Sequence, residues 1–91
     1  MAASVWLFHA NEGQLTSAVF TNESLAEAWI KKHSLSGILT EYPLDTGIYE
    51  WAISKGFFKP KQPYQQSAKF IGRFTSASQR HDHFENGAKV T

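Results

Sequence analysis

The 91-residue sequence contains no cysteine. Disulfide bridges and thiolate metal sites are therefore excluded. Secreted domains of this size often depend on disulfides, so their absence favours a reducing compartment, and we expect a cytoplasmic protein. No apolar run approaches the roughly 18–20 residues that span a bilayer, and the start of the chain is too short and too uncharged for a signal peptide. We therefore expect no membrane partner.

Charge is also scarce. Charged residues make up 19% of the chain and the formal net charge is +1, so bulk electrostatics indicate no class of partner. Residues 1–45 carry a net charge of −3 and residues 46–91 a net charge of +4. The hydrophobic content of 42% and aromatic content of 14% suffice for one core and argue against disorder. We predict one domain over residues 1–91, with residues 1–3 and 88–91 disordered.

Apolar patterning predicts four strands. Residues 5–8 and 15–20 form a hairpin around a turn at Asn11-Glu12-Gly13, and residues 38–42 form a third strand that ends before Pro43. Residues 76–84 alternate well enough to predict a fourth strand. The sheet and every site on it depend on this last strand.

Two helices are predicted between the strands. The first runs to about His33 from a capping box at Ser24 and Glu27, with Thr21 and Asn22 as alternative caps, and it carries an apolar stripe. Its stripe consists of Leu25, Ala28, Trp29 and the stem of Lys32. The second helix is predicted to begin at an Asp45 cap and to end at Gly56.

The segment after the second helix is less regular. The two prolines in residues 57–66 forbid regular structure there, and residues 67–74 are predicted as a short helix, although an alternating strand fits nearly as well. The pattern as a whole predicts an α+β fold, in the order ββαβα(α)β. It consists of an antiparallel sheet of about four strands with two or three helices on one face.

Aromatic residues are more numerous than so small a core requires, and such residues anchor protein interfaces. We therefore predict a protein-binding module whose contacts include an exposed face of the sheet and the loop after the second helix. The binding residues would be Phe57, Phe58, Lys59, Lys61 and Tyr64. The alternative is that all the aromatic rings simply pack inside the protein.

Nucleic acid is a second possible partner. In the C-terminal half, cations alternate with rings, a mixture in which cations contact phosphates and rings stack on bases. The cations are Lys55, Lys59, Lys61, Lys69 and Arg73. The sequence isoelectric point of about 8.1 is lower than is usual for nucleic-acid-binding domains.

A metal-dependent enzyme is the third hypothesis. On a strand, His81, His83 and Glu85 would point the same way and offer two imidazoles and a carboxylate to a zinc ion. The alternative is a pair of exposed histidines without a ligand. The sequence has no nucleophile elbow and no glycine-rich phosphate loop. We therefore expect no cofactor and favour binding over catalysis.

Seven segments of the chain are distinctive, namely WLFH, AEAWI, LTEYP, GIYEWA, GFFKPK, FTSASQ and HDHFENG. Together they resemble a family of small, stand-alone, mostly bacterial proteins described only as a domain of unknown function. The resemblance spans roughly residues 4–87 and implies a bacterial single-domain protein, but no activity, cofactor or catalytic residue. In the last segment, Asp82 and Phe84 stand where the family usually has tyrosine.

Overall fold

The structure of the protein is a computed structural model that describes residues 3–90. Within this range the chain divides into two compact units. Residues 3–44 and 79–90 form one, here called the sheet unit, and Asp45–Ser78 form the other, here called the aromatic unit. In chain order the elements are β1 (Ser4–Ala10), β2 (Ala18–Phe20), α1 (Glu23–Lys32), β3 (Gly37–Pro43), α2 (Ile48–Ser54), a 3₁₀ helix (Pro63–Gln66), α3 (Ala68–Gly72), β4 (His81–Glu85) and β5 (Ala88–Val90).

The strands of the sheet unit form an antiparallel sheet in the order β2-β1-β3-β4-β5. The central strands β1 and β3 pair along their whole length, from Ser4 opposite Pro43 to Ala10 opposite Gly37. At Gly37 the strands lie so close that a Cβ atom would clash with the backbone carbonyl of His9. A side chain at this position would therefore separate the two strands.

One face of the sheet packs against α1. Side chains that alternate along β1, β3 and β4 meet the buried face of the helix and form the hydrophobic core. The opposite face of the sheet carries half-buried and exposed side chains. The core residues are Trp6, Phe8, Ala26, Ile30, Leu39 and Phe84.

Helix α1 begins at Glu23, two residues earlier than a Ser24 cap would place it, because the alternative cap Asn22 accepts a hydrogen bond of 2.9 Å from the Leu25 backbone. The predicted apolar stripe is wrong at Leu25, which is 55% exposed, and at Ala28, which is also exposed. Instead the fully buried positions are Ala26 and Ile30. Trp29 lies at the edge of this face and contacts the Phe8 ring at 5.8 Å between centroids.

The fourth strand is shorter than predicted. It begins at His81 rather than at residue 76, because the Ser76 side chain accepts a hydrogen bond from the Ser78 backbone and turns the chain there. The prediction that residues 88–91 are disordered is wrong for residues 88–90, which form β5. Asn86 and Gly87 both have positive φ, which is the conformation of a tight hairpin turn between β4 and β5.

The aromatic unit differs from the sequence prediction at two positions. Helix α2 is capped by Gly47, not Asp45, whose φ of 61° places it in the left-handed region before the helix. The prolines do not exclude regular structure, because Pro63 occupies the first position of the 3₁₀ helix, where no backbone N–H is needed. The helical prediction for residues 67–74 is confirmed by α3, with the Ser67 side chain as its cap.

The α+β fold class with an antiparallel sheet is therefore confirmed, with β5 as an additional strand in the part of the chain that the structure describes. Residues 1, 2 and 91, which were predicted to be disordered, lie outside the described residues. Ala3 is described, and its carbonyl accepts a hydrogen bond of 2.9 Å from the Leu44 backbone. The single domain stays a prediction. Across residues 3–90, every helix is too short or too polar to cross a bilayer.

Candidate binding groove of the aromatic unit

An open groove of about 590 Å³ lies along α3 in the aromatic unit. Its volume falls within the range that is common for ligand pockets. The rings of Tyr64, Phe70 and Phe74 line it together with the cationic side chains of Lys69 and Arg73. The remaining lining residues are the small hydroxyl residues Ser67 and Thr75.

The rings that line the groove belong to a larger aromatic cluster. The Phe58 ring stacks on Phe70 at 5.8 Å between centroids and lies 4.8 Å from Phe74. Tyr49 contacts Phe74 edge-on at 5.6 Å, and its hydroxyl donates a hydrogen bond of 2.8 Å to the Gln65 carbonyl. These contacts hold the Phe70 and Phe74 rings in place and connect α2, the 3₁₀ helix and α3.

The lining of the groove is positively charged. No acidic residue occurs between Trp51 and Ser78, whereas five lysine and arginine residues do. Lys69 and Arg73 are both exposed and lie four residues apart, which places them on the same side of α3 and its C-terminal cap. Within residues 3–90, neither of these two cations forms a salt bridge.

The predicted binding residues do not all reach this groove. Tyr64 lines it and is 63% exposed, whereas Phe58 is half-buried beneath it. Phe57 is 54% exposed and packs on Trp51, and the exposed Lys59 and Lys61 do not line the groove. The sequence interpretation did not include Phe70 and Phe74 among the binding residues. Their spacing of four residues within the helix predicted over residues 67–74 was a usable signal, because such residues share one side of a helix.

The predicted metal ligands lie on β4 of the sheet unit. His81, His83 and Glu85 alternate with Asp82 and Phe84, and all three are exposed. The two imidazole rings are in contact, with their centroids 5.4 Å apart. In the part of the chain that the structure describes, these three side chains do not bring one ligand atom each to within 4.8 Å of one another.

A cluster of carboxylates lies on the opposite side of β4. Glu23, Glu27 and Asp82 converge there, but the Lys89 ammonium lies among them, 2.8 Å from the Glu27 carboxylate and 3.7 Å from Asp82. A hydrogen bond to Asp82, followed by burial, raises the pKa of Glu23 above its ordinary value. The hydrogen bond to Glu27 raises the pKa of Lys89. These carboxylates therefore already hold a cation, which is the lysine.

The fold and the groove define the class: a small α+β protein with an antiparallel sheet and a separate helical unit that exposes an aromatic, cationic groove. A family model described as "Domain of unknown function (DUF7710)" matches residues 5–90. The chain belongs to this family, which confirms the family resemblance seen in the sequence. No curated protein and no solved structure shows a significant similarity to the chain.

Proposed function

We propose that the protein is a non-enzymatic binding module that uses the groove along α3 to hold a segment of another protein. The proposal rests on the exposed groove of aromatic rings, where the lining cations Lys69 and Arg73 form no salt bridge within residues 3–90. The absence of cysteine and the family resemblance lead us to propose a bacterial, cytoplasmic setting.

The rings supply the apolar part of the interaction. A side chain that enters the groove would cover Tyr64, Phe70 and Phe74, and each square ångström of apolar surface removed from water contributes roughly 25 cal/mol. Aromatic residues are over-represented in the parts of interfaces that contribute most to affinity, because they bury a large area at a small cost in side-chain entropy. The cluster beneath the groove holds these rings in place, which lowers that cost further.

The cations specify the charge of the partner. Lys69 and Arg73 face the groove in a unit that carries five basic and two acidic side chains, a net charge of +3. A segment with carboxylates beside an apolar residue complements both features. Charge complementarity of this kind raises association rates and excludes basic competitors.

A selection from a random peptide library tests the proposal. We expect the purified protein to enrich peptides that combine aspartate or glutamate with a large apolar residue. Affinity for a selected peptide should fall roughly tenfold or more when Lys69→Glu and Arg73→Glu are combined, because two favourable charge contacts become repulsive. Both positions are exposed, so folding is not expected to suffer.

A matched control is the double variant Lys31→Glu with Lys32→Glu, which reverses two exposed cations at the end of α1. It changes the total charge by the same amount and should leave peptide affinity unchanged. Enrichment of no peptide, or equal loss in both double variants, would rule out the groove as the binding site.

A second candidate is single-stranded nucleic acid. It is favoured by the exposed Phe57 and Tyr64 rings in a segment that has cations and no acids from Trp51 to Ser78. A mobility-shift titration with single-stranded RNA and DNA at low and moderate salt measures this directly. Binding that weakens steeply with salt would support nucleic acid and argue against the protein segment.

A further inference from the structure

The two histidines of β4 form a close pair on the sheet face that α1 does not cover. His81 and His83 are two residues apart on a strand, so their side chains point to the same side, and both are exposed. Their rings lie edge to face with centroids 5.4 Å apart. Two imidazoles at this separation can present one nitrogen each to a shared ion after small side-chain rotations.

The orientation of the first ring is fixed by the backbone. His81 Nδ1 lies 2.7 Å from the Gln79 carbonyl oxygen. A carbonyl oxygen can only accept a hydrogen bond, so Nδ1 is the donor, and in the neutral imidazole this tautomer leaves the lone pair on Nε2. Histidines that bind metals commonly have this arrangement, in which one nitrogen donates to a carbonyl and the other coordinates the ion.

Gln79 is itself held in place. It is buried, and its side-chain amide donates a hydrogen bond of 3.1 Å to the Glu41 carbonyl. The residue that orients His81 is therefore anchored to β3. The strand that carries the pair is paired on both sides, with His83 opposite Ile38 of β3 and Val90 of β5.

Within residues 3–90, no cation of the paired strands faces the histidine pair, because Lys89 of β5 pairs with Glu27 on the opposite side of the sheet. The residues opposite the two histidines are Thr40, Ile38 and Val90, which are uncharged. Arg80, the nearest basic residue along the chain, forms ion pairs with Glu23 and Glu41 on the other side of the sheet.

We propose that His81 and His83 together bind a divalent transition-metal ion of the Zn²⁺, Cu²⁺ or Ni²⁺ class, for which imidazole is a preferred ligand. Glu85 is not part of this site, because residues i and i+4 of a strand lie roughly 13 Å apart, too far for one ion to be shared with His81. Water or a group from another molecule completes the coordination. This site is independent of the groove along α3.

Titration of the untagged protein with ZnCl₂, followed by calorimetry and by two-dimensional NMR of the histidine rings, tests the site. We expect a one-to-one complex and perturbed Nε2 resonances of His81 and His83. His81→Asn and His83→Asn should each weaken binding at least tenfold, because one of two ligands is lost. Both residues are exposed, so the variants should remain folded.

His33→Asn is the matched control, since His33 is also exposed and lies at the end of α1. It should bind zinc like the unchanged protein, and so should Glu85→Gln. The proposal would be overturned if zinc at concentrations up to about 1 mM produced no heat of binding and no shift of the histidine resonances. A dissociation constant of about 1 mM corresponds to a binding free energy of roughly −4 kcal/mol. Equal affinity in the His33 and His83 variants would overturn it as well.

Discussion

The two units of this protein place their aromatic rings differently. In the sheet unit, Trp6, Phe8 and Phe84 are almost completely buried between the sheet and α1. In the aromatic unit, Tyr64 and Phe57 are more than half exposed, and Phe70 and Phe74 line an open groove. The first arrangement stabilises a fold, whereas the second leaves apolar surface in water, where a binding partner can cover it.

The two units also differ in net charge and in the pairing of their cations. The sheet unit carries six acidic side chains and four lysines or arginines, a net charge of −2, whereas the aromatic unit carries +3. Lys89 and Arg80 of the sheet unit form ion pairs with its own carboxylates. Lys69 and Arg73 form none within residues 3–90, so they can pair with a ligand.

The largest expected effect is in the core of the sheet unit. Phe8→Ala should lower the free energy of unfolding by about 3–5 kcal/mol, because the fully buried ring leaves a cavity against Trp29 and Ile30. Urea unfolding followed by Trp fluorescence measures the change. A loss below about 1 kcal/mol would contradict the assignment of this core.

The close contact of β1 and β3 gives the next largest effect. Gly37→Ala should cost about 1–3 kcal/mol, because its Cβ would clash with the His9 carbonyl and would lie 2.8 Å from the Ala10 Cα. Gly72→Ala, at the end of α3, is the matched control, since a Cβ there meets nothing within 4 Å. Thermal unfolding of both variants should show a lower midpoint only for Gly37→Ala.

The neighbouring residues Phe57 and Phe58 of the aromatic unit differ in burial, because Phe58 is half-buried and Phe57 is exposed. Phe58→Ala should destabilise the protein by about 2 kcal/mol, because it removes ring contacts with Phe70, Phe74 and Tyr49. Phe57→Ala should cost less than about 1 kcal/mol, since its ring is 54% exposed. Urea unfolding of the two variants makes the comparison. Equal losses would show that the cluster does not depend on Phe58.

The smallest expected effect is a change in the pH dependence of stability, which comes from the carboxylates around Lys89. Folding raises the pKa of Glu23, chiefly through its hydrogen bond to Asp82, so the folded state favours the protonated form. This preference adds to the free energy of unfolding. The contribution is fully present at pH values below the pKa of Glu23 in the unfolded chain, and it is lost as the pH rises through the pKa of Glu23 in the folded protein.

Glu23→Gln removes this titration while its amide can still donate to Asp82. Urea midpoints between about pH 4 and pH 7 should therefore fall less with rising pH in the variant than in the unchanged protein. The same pH dependence in both proteins would contradict the assigned cause. Glu12→Gln, in the exposed turn after β1, is the control and should behave like the unchanged protein.

Local signals predicted most of the fold. The hairpin of β1 and β2, the region of α1 and the position of α3 follow from residue patterns within a few positions of each other. The Asn86-Gly87 pair also indicates a hairpin, but its second strand has only three residues, too few for a strand pattern to be recognised, so the pair was interpreted as the end of the ordered chain.

The site was harder to predict because it depends on distant contacts. The groove combines Tyr64 from the 3₁₀ helix with rings from and beyond α3, and Phe58 supports it from below. No local rule states that Phe58 turns towards Phe70 while Phe57 turns towards Trp51. The shared face of His81 and His83, in contrast, follows from strand periodicity and was predictable once β4 was placed.

Gln79 and Arg80 join the end of the aromatic segment to the strand where that segment begins. The Gln79 amide donates to the Glu41 carbonyl, and the Arg80 carbonyl accepts a hydrogen bond of 2.9 Å from the Glu41 backbone. The chain therefore leaves the sheet after β3 and returns to it before β4 at a place that these two hydrogen bonds hold together. Residues 45–78 can therefore change in length or composition without altering strand register, which leaves evolution or a protein engineer able to exchange this unit while the sheet stays constant.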